Sequence, residues 1–261
     1  MQMLISAGAI AIIVAWGLIA PASLGAVFDT ALAAITKNFG WFYLWVVLAL
    51  VVMSALLAFS RYGNLKLGAD DEEPEFSTTA WFAMLFAAGM GIGLVFWGVA
   101  EPMSHYGAPP PGIAPGTPEA ANAAMRYSFF HWGLHPWAIY AVVALAIGYF
   151  QFRRGGPALV STATEALPWR PVQRLSLLFN VLAVIAPAFG VAASLGMGAL
   201  QINSGLARVF GLPVGTASQL GIIAVTTALF LASAVTGVER GIKWLSSFNL
   251  VVAALLALAG F

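Results

Sequence analysis

Residues 131–140 read HWGLHPWAIY, and they place Trp132, Trp137 and Tyr140 within a stretch that is apolar enough to cross a membrane. At about 100° of helical rotation per residue, Trp137 and Tyr140 fall near 140° and 80° from Trp132. The three rings are therefore expected to share one side of a helix. Ring faces in an apolar setting attract quaternary ammonium ions, at roughly 0.5–2 kcal/mol each. The alternative is an aromatic belt at the membrane surface, which about 12 Å of helical rise across these residues disfavours.

The composition is that of an integral membrane protein. Of 261 residues, 61% are hydrophobic and 8% are charged, whereas a soluble domain is about half apolar and about a quarter charged. The absence of cysteine excludes disulfides and thiol chemistry. A net charge of +1 without a basic tract gives no basis for nucleic-acid binding. No set of nucleophile, base and acid is visible, so the sequence predicts no enzyme.

Seven apolar runs approach the length of about 20 residues that a helix needs to cross a bilayer. They lie near 3–20, 41–60, 79–100, 123–151, 175–206, 217–236 and 246–261. All are expected to be helices, because open strands leave backbone groups unpaired in lipid. The first run lacks the marks of a cleaved signal peptide and is expected to be retained. If the N-terminus is cytoplasmic, the inner loops hold eight of the eleven Lys and Arg residues, which predicts that orientation.

The connecting segments differ in character. Residues 61–77 carry five acidic side chains and are expected to form a solvated turn, while residues 102–118 contain six prolines and are expected to form a stiff, extended outer loop. The last run stops at Phe261 without flanking charges. We therefore expect the chain to be cut inside or just after its seventh helix.

Three glycines interrupt the third run at alternate positions. The segment 84–95 reads MLFAAGMGIGLV, with Gly89, Gly91 and Gly93 in its centre. Gly89 and Gly93 form a GxxxG pair, which is typical of close helix packing. Three glycines also weaken a helix by roughly 1 kcal/mol each relative to alanine, and local unwinding would free carbonyls for a cation and amides for a carboxylate. Both interpretations remain open.

Other polar or helix-breaking residues are weaker candidates. His131 and His135 have the i,i+4 spacing of a shared metal site, although no carboxylate lies near them in the run, and helix contacts are the more common role. Glu101 is expected to cap a helix or anchor a loop at the outer end of the third run, next to His105. Pro187 is expected to kink the fifth run.

Four stretches of the chain carry a family resemblance. They are GMGIGLVFWGVAEP (89–102), FHWGLHPWAIY (130–140), FGVAASLGMGALQ (189–201) and GIKWLSSFN (241–249). Together they resemble the betaine/carnitine/choline transporter family. The resemblance implies an all-α protein of twelve spans with a LeuT-like five-plus-five inverted repeat, assembled as a homotrimer in the inner membrane. Residues 1–77 would then be two peripheral helices with an acidic loop, and residues 78–261 the first repeat.

The resemblance also implies roles for particular residues. Trp132, Trp137 and Tyr140 match the fourth-span members of an aromatic box for a trimethylammonium group. In the family, the backbone at the glycine segment lies close to the substrate. The matching residues here are Ala88, Gly89, Met90, Gly91 and Gly93. The carbonyls of Ala87 and Met90 match one half of a sodium site whose hydroxyl ligands come from a later span.

One departure from the family pattern concerns the coupling ion. Positions that hold two threonine ligands of a second sodium in sodium-coupled members are here Pro187 and Val191. Sodium coupling, proton coupling and exchange therefore stay open, and no other cofactor is expected. The function implied is secondary active transport of a small zwitterionic or cationic solute such as betaine, choline, carnitine or ectoine. The alternative is a non-transporting fragment or membrane scaffold that lacks the second repeat.

Overall fold

The computed structural model describes residues 2–89 and 91–259, and none of these residues lies in a β-strand. The helices are α1 (Gln2–Ile19), α2 (Pro21–Phe59), α3 (Thr78–Gly89), α4 (Ile92–Gly107), α5 (Pro118–Trp132), α6 (Leu134–Gly148), α7 (Val160–Glu165), α8 (Arg170–Gln173), α9 (Ser176–Phe210), α10 (Thr216–Thr236) and α11 (Lys243–Ala259). A 3-10 turn (Arg61–Asn64) follows α2, and π-helical turns follow α6 (Tyr149–Arg153) and α10 (Val238–Ile242). The all-helical prediction is confirmed for this part of the chain.

Five helical segments are long and apolar enough to cross a membrane. They are Gln2–Ile19, Pro21–Phe59, Pro118–Arg153, Ser176–Phe210 and Thr216–Thr236. The third and seventh apolar runs correspond to shorter helices: the third is divided between α3 and α4, and the seventh is α11, with 17 residues. The structure thus supports a protein of several membrane helices, while the count of seven spans stays a prediction.

The segment between the first two apolar runs is helical, although the pattern of apolar runs left it outside the spans. Helix α2 has 39 residues, or about 58 Å, nearly twice the thickness of the hydrocarbon core. Its polar residues do not interrupt it, because Thr30, Thr36 and Asn38 each donate a hydrogen bond to a carbonyl four residues earlier in the helix. Pro21 stands at the start of α2, where proline costs no backbone hydrogen bond.

The chain divides into two compact units, and each is built from two separated segments. Unit 1 comprises Met1–Glu72 and Phe129–Phe189, and unit 2 comprises Glu73–Ser128 and Gly190–Phe261. This division follows contacts within the chain. The family resemblance divides the chain differently, into two peripheral helices (1–77) and a first inverted repeat (78–261). That division stays a prediction.

In unit 1 the acidic loop is organised by one arginine. Arg153 donates two hydrogen bonds to the Asp70 carboxylate, at 2.7 and 3.2 Å, and one to the carbonyl of Gly68 at 2.8 Å. Lys66 donates to the backbone carbonyls of Asp70 and Glu72. The hydrogen bonds and charge of Arg153 lower the pKa of Asp70 below its usual value. The solvated acidic turn is therefore exposed as expected, but it also has a defined fold.

A second contact in unit 1 joins α7 to α9 through two buried polar side chains. The amide of Asn180 donates to Ser161 Oγ at 3.0 Å, and its carbonyl oxygen accepts from the backbone N–H of Ser161 at 3.1 Å. Ser161 is the second residue of α7, so its N–H has no partner within the helix. The residue at the N-cap, Leu159, provides no capping side chain. Asn180 therefore caps α7 from a distant part of the sequence.

In unit 2, helix α3 packs against α11, and two small side chains of α3 are buried. Ala80 and Ala83 are buried, which lets the backbones approach closely. The two helices start at the same end, since the Lys243 ammonium lies 5.9 Å from the ring centre of Phe76. Elsewhere in unit 2, the fully buried amide of Asn203 holds the turn between α9 and α10 through two backbone groups of residues 213–215.

The proline-rich segment differs from the extended loop expected over 102–118. Helix α4 continues to Gly107, with Pro102 inside it. The remaining loop is closed by Tyr106, whose hydroxyl donates to the carbonyl of Gly116 at 2.8 Å and whose carbonyl accepts from the Gly116 N–H at 3.2 Å. Gly112 and Gly116 have positive φ angles, 93° and 73°, which allow the chain to turn back. The loop is therefore compact, because these turns and hydrogen bonds override the extended preference of proline.

Candidate functional site

The fourth predicted span is not one continuous helix. Helix α5 ends at Trp132 and α6 begins at Leu134, with Gly133 between them at φ −86° and ψ −137°. A Cβ at Gly133 would lie 2.5 Å from the carbonyl oxygen of Phe129, so only glycine fits without a backbone shift. The rotation of about 100° per residue therefore does not carry from Trp132 to the later aromatic residues. That step of the sequence argument is wrong, although the aromatic residues remain candidates.

A sequence signal for this break was present in Gly133 and Pro136. Pro136 is the third residue of α6. In the first turn of a helix, a proline removes an N–H that has no helical partner anyway. Glycine followed three residues later by proline therefore indicates that one helix ends and a new helix begins.

The structure brings Trp137 and Tyr140 together on α6. They are three residues apart, their ring centres lie 5.9 Å apart, and their planes are inclined by 46°. Their exposed fractions are 48% and 70%, so much of both rings is open to a ligand or to lipid. Trp132 ends α5 and is 38% exposed. The pair on α6 is a tilted aromatic corner, which is suited to a cation without N–H groups.

The two histidines of the fourth span lie on either side of the break. His131 belongs to α5 and His135 to α6, and the ring of Phe130 contacts both, at 5.6 and 4.5 Å between ring centres. Their i,i+4 spacing is therefore not that of one helical face. The hypothesis of a shared metal site depended on His131 and His135 lying on one face of a single helix, and they do not. Both histidines instead contact the ring of Phe130.

The glycine segment interrupts the third predicted span. Helix α3 ends at Gly89, α4 begins at Ile92, and Gly91 is extended at φ −93° and ψ −171°. Of the two interpretations of the glycines, local unwinding is the one observed. Met90 lies outside the described residues. Of the described residues in this segment, Ala88 and Gly91 are exposed, while Gly89 and Gly93 are half-buried. All four belong to unit 2, whereas the three candidate aromatic residues of the fourth span belong to unit 1.

A groove in unit 2 lies beside the end of α3. Its volume is about 340 Å³, and it is lined by Ala87, Leu245, Ser246, Phe248, Asn249 and Val252. Ala87 was predicted to contribute a carbonyl to a sodium site. The polar residues of α11 were not among the predicted site residues. Their signal is the run SSFN (246–249) at the start of an otherwise apolar helix.

Two further predicted residues lie within helices. Glu101 and His105 are one turn apart on α4, with 3.5 Å between His105 Nε2 and Glu101 Oε1, and Glu101 is buried. The ring of His105 also packs on that of Tyr127, at 5.4 Å. Glu101 therefore pairs with a side chain inside a helix, and the predicted anchor at a helix end does not describe its position. Pro187 and Val191 both lie within α9, which continues through the proline, and the predicted kink stays a prediction.

Apolar helices interrupted in the middle of two predicted spans are typical of secondary transporters, which use the free backbone groups at such breaks to bind solutes and ions. The described helices share these features with that class of membrane protein. A model of the betaine/carnitine/choline family of transporters matches residues 2–261. The chain belongs to this family.

Several curated relatives are similar to the chain over most of its length. The glycine betaine transporter OpuD of Bacillus subtilis (strain 168) is 51% identical over 246 residues, which are 94% of this chain and 48% of the relative. A probable glycine betaine transporter of Desulfitobacterium hafniense (strain Y51) is 44% identical, over 92% of this chain and 48% of its own length. The ectoine/hydroxyectoine transporter of Virgibacillus pantothenticus is 44% identical, over 94% and 49%. The chain spans about half the length of these relatives.

Proposed function

We propose that this chain is part of a secondary active transporter that moves a quaternary-ammonium or related compatible solute across the inner membrane by alternating access. Family membership supports the transport class. The names of the relatives, which refer to glycine betaine and to ectoine, support the kind of solute. The observation that carries the proposal is the aromatic corner of Trp137 and Tyr140, directly after the break at Gly133.

In this proposal the solute's cation binds to ring faces. Trp137 and Tyr140 form one wall, and Trp132, from the other side of the break, forms a second. A trimethylammonium group cannot donate hydrogen bonds, so the negative ring faces are its best partners in an apolar setting. Each ring contributes roughly 0.5–2 kcal/mol, so two rings account for a preference of about fivefold to several hundredfold over a site without them.

The backbone of the glycine segment, within unit 2, is proposed separately as a site for a carboxylate. The start of α4 leaves N–H groups without helical partners, and the positive end of the helix dipole favours an anion there. Gly93 lies in this first turn of α4, and the other residues proposed to lie near the bound group are Ala88, Gly89, Met90 and Gly91. Glycine at Gly91 leaves space for a ligand, since nothing lies within 4 Å of the position a Cβ would take.

The arrangement of the full transporter follows from the family resemblance and is also a proposal. It comprises the LeuT-like inverted repeat, two peripheral helices within residues 1–77, a first repeat over 78–261, a cytoplasmic N-terminus and a homotrimer. Eight of eleven basic residues in the inner loops support the orientation. Helices α3 and α11, which start at the same end of unit 2, are consistent with spans that run in the same direction.

Coupling to sodium is proposed through the carbonyls of Ala87 and Met90. Ala87 lies in the last turn of α3, where carbonyls have no partner within the helix, which supports the placement of a cation there. Pro187 and Val191 offer no side-chain oxygen, so the second sodium of the family pattern is not part of the proposal.

The proposal is tested by solute binding to the purified full-length protein. Trp137→Ala is expected to raise the Kd for glycine betaine by about three- to thirtyfold, because it removes one ring face. Trp137→Phe keeps a ring and is expected to retain most of the affinity. Trp169→Ala, which removes an exposed tryptophan at the start of α8, serves as the control. Equal Kd values for Trp137→Ala and Trp169→Ala would refute the aromatic site.

A further inference from the structure

The short segment before α9 presents two arginine side chains without a partner in the described part of the chain. Arg170 begins α8, and the N–H of Arg174 donates to the carbonyl of Arg170 at 3.2 Å, so both side chains leave one helical turn. Both are exposed, and among the described residues neither guanidinium makes a hydrogen bond or an ion pair. Arg153 differs, since it is paired with Asp70.

Other contacts of this segment fix the side of the turn on which the two arginines lie. Gln173 is half-buried and donates to the carbonyls of Glu165 and Leu167, at 3.2 and 2.8 Å, which ties α8 to the end of α7. Val172 is half-buried as well. The face of the turn with these two residues is therefore covered, and the face with the arginines is open.

The place of the arginines in the chain puts them at a membrane surface. Two segments that are long and apolar enough to cross a membrane, Pro118–Arg153 and Ser176–Phe210, flank residues 154–175. The second of them begins two residues after Arg174. Trp169, directly before the arginine turn, is 62% exposed, and indole rings favour the layer of lipid headgroups. Lipid phosphates are therefore within reach of both guanidinium groups.

The charge of the segment selects an anionic partner. Residues 149–175 contain four arginines and a single acidic residue, Glu165. A guanidinium presents N–H donors in a planar fork that matches phosphate oxygens, and two forks leave one turn here. An acidic protein segment would meet the same charges, but it would leave the exposed indole of Trp169 without an apolar partner. A phospholipid supplies both the phosphate and the apolar groups.

We infer that Arg170 and Arg174, with Trp169 beside them, bind the headgroup of an anionic phospholipid such as phosphatidylglycerol. The two guanidinium groups donate to the phosphate, and the indole lies among the glycerol and upper acyl groups. Because Gln173 ties α8 to α7 and Asn180 caps α7 from α9, a lipid bound here is expected to stabilise this part of unit 1. The inference rests on the membrane helices and not on the proposed solute.

The test is native mass spectrometry of the purified full-length protein, titrated with phosphatidylglycerol or with phosphatidylcholine of identical acyl chains. The wild type is expected to prefer phosphatidylglycerol. Arg170→Gln and Arg174→Gln should each weaken its binding about fivefold at low salt, and the double variant about thirtyfold, with phosphatidylcholine binding unchanged. Arg208→Gln is the matched control, because Arg208 is exposed in the last turn of α9 without a second arginine one turn away.

Several results would overturn the inference. They are the absence of a preference for phosphatidylglycerol in the wild type, equal affinity of the wild type and the double glutamine variant, and an equal loss in Arg208→Gln. Glycerol phosphate carries the phosphate without acyl chains, and its binding as tightly as phosphatidylglycerol would assign the site to a free phosphate instead of a lipid. The double variant Arg170→Lys/Arg174→Lys keeps both charges and loses only the planar forks, so it should lose less affinity than the glutamine variant. Equal losses in these two variants would contradict recognition of the phosphate charge.

Discussion

The buried pair formed by Asn180 and Ser161 gives the most direct test of how unit 1 is held together. Asn180 caps the start of α7 from α9 through two hydrogen bonds, at 3.0 and 3.1 Å, and both residues are buried. Asn180→Leu has a similar side-chain volume, so it removes the hydrogen bonds without leaving a large cavity. The N–H of Ser161 then has no partner in a site that excludes water.

The expected loss follows from the two bonds taken separately. A buried N–H without a partner costs about 1–3 kcal/mol, and the second hydrogen bond has a net value of about 0.5–1.5 kcal/mol. Asn180→Leu should therefore destabilise unit 1 by about 2–4 kcal/mol. Ser161→Ala leaves the capped N–H in place, but the buried amide N–H of Asn180 loses its acceptor, so the effect should be about 1–3 kcal/mol and smaller than that of Asn180→Leu.

The measurement is the thermal midpoint of the purified protein, followed by intrinsic tryptophan fluorescence. The order of midpoints should be wild type, Ser161→Ala and then Asn180→Leu, with about 2–4 °C lost per kcal/mol. Asn38→Leu is the control, since Asn38 is exposed on α2 and bonds only within its own helix. If Asn180→Leu unfolds at the same temperature as Asn38→Leu, the capping argument is wrong.

Two further predictions concern the helix breaks and the acidic loop. Gly133→Ala should impair folding and solute binding because its Cβ would meet the carbonyl of Phe129, whereas Gly91→Ala, which meets nothing within 4 Å, should express and unfold like the wild type; similar unfolding midpoints for the two variants would contradict this. Asp70→Asn removes the hydrogen-bonded ion pair with Arg153. Because the folded pKa of Asp70 is lowered, the pair stabilises the protein above the usual aspartate pKa of about 3.9, and this is lost as the pH falls through the folded value. The midpoints of wild type and Asp70→Asn should therefore differ at pH 7 and in low salt, and converge as the pH falls below the lowered pKa of Asp70; a constant difference would exclude the ion pair as its cause.

The apolar pattern was sufficient to predict a helical membrane protein, because long apolar runs in lipid have few alternatives to the helix. The glycine segment also made local unwinding one of two predictions, and the extended Gly91 confirms it. The break at Gly133 was missed for a specific reason. Periodicity was applied across a glycine whose requirement arises from close contact with the Phe129 carbonyl, and that contact exists only after the chain has folded.

The same limit explains which parts of the site the sequence did not predict. An aromatic pair at i,i+3 is set by helix geometry alone, so Trp137 and Tyr140 could be placed on one face once a helix was assumed. Polar residues in apolar helices are different, because their partners lie on other elements. Asn180 reaches α7 across 19 residues of sequence, and no local pattern indicates that contact.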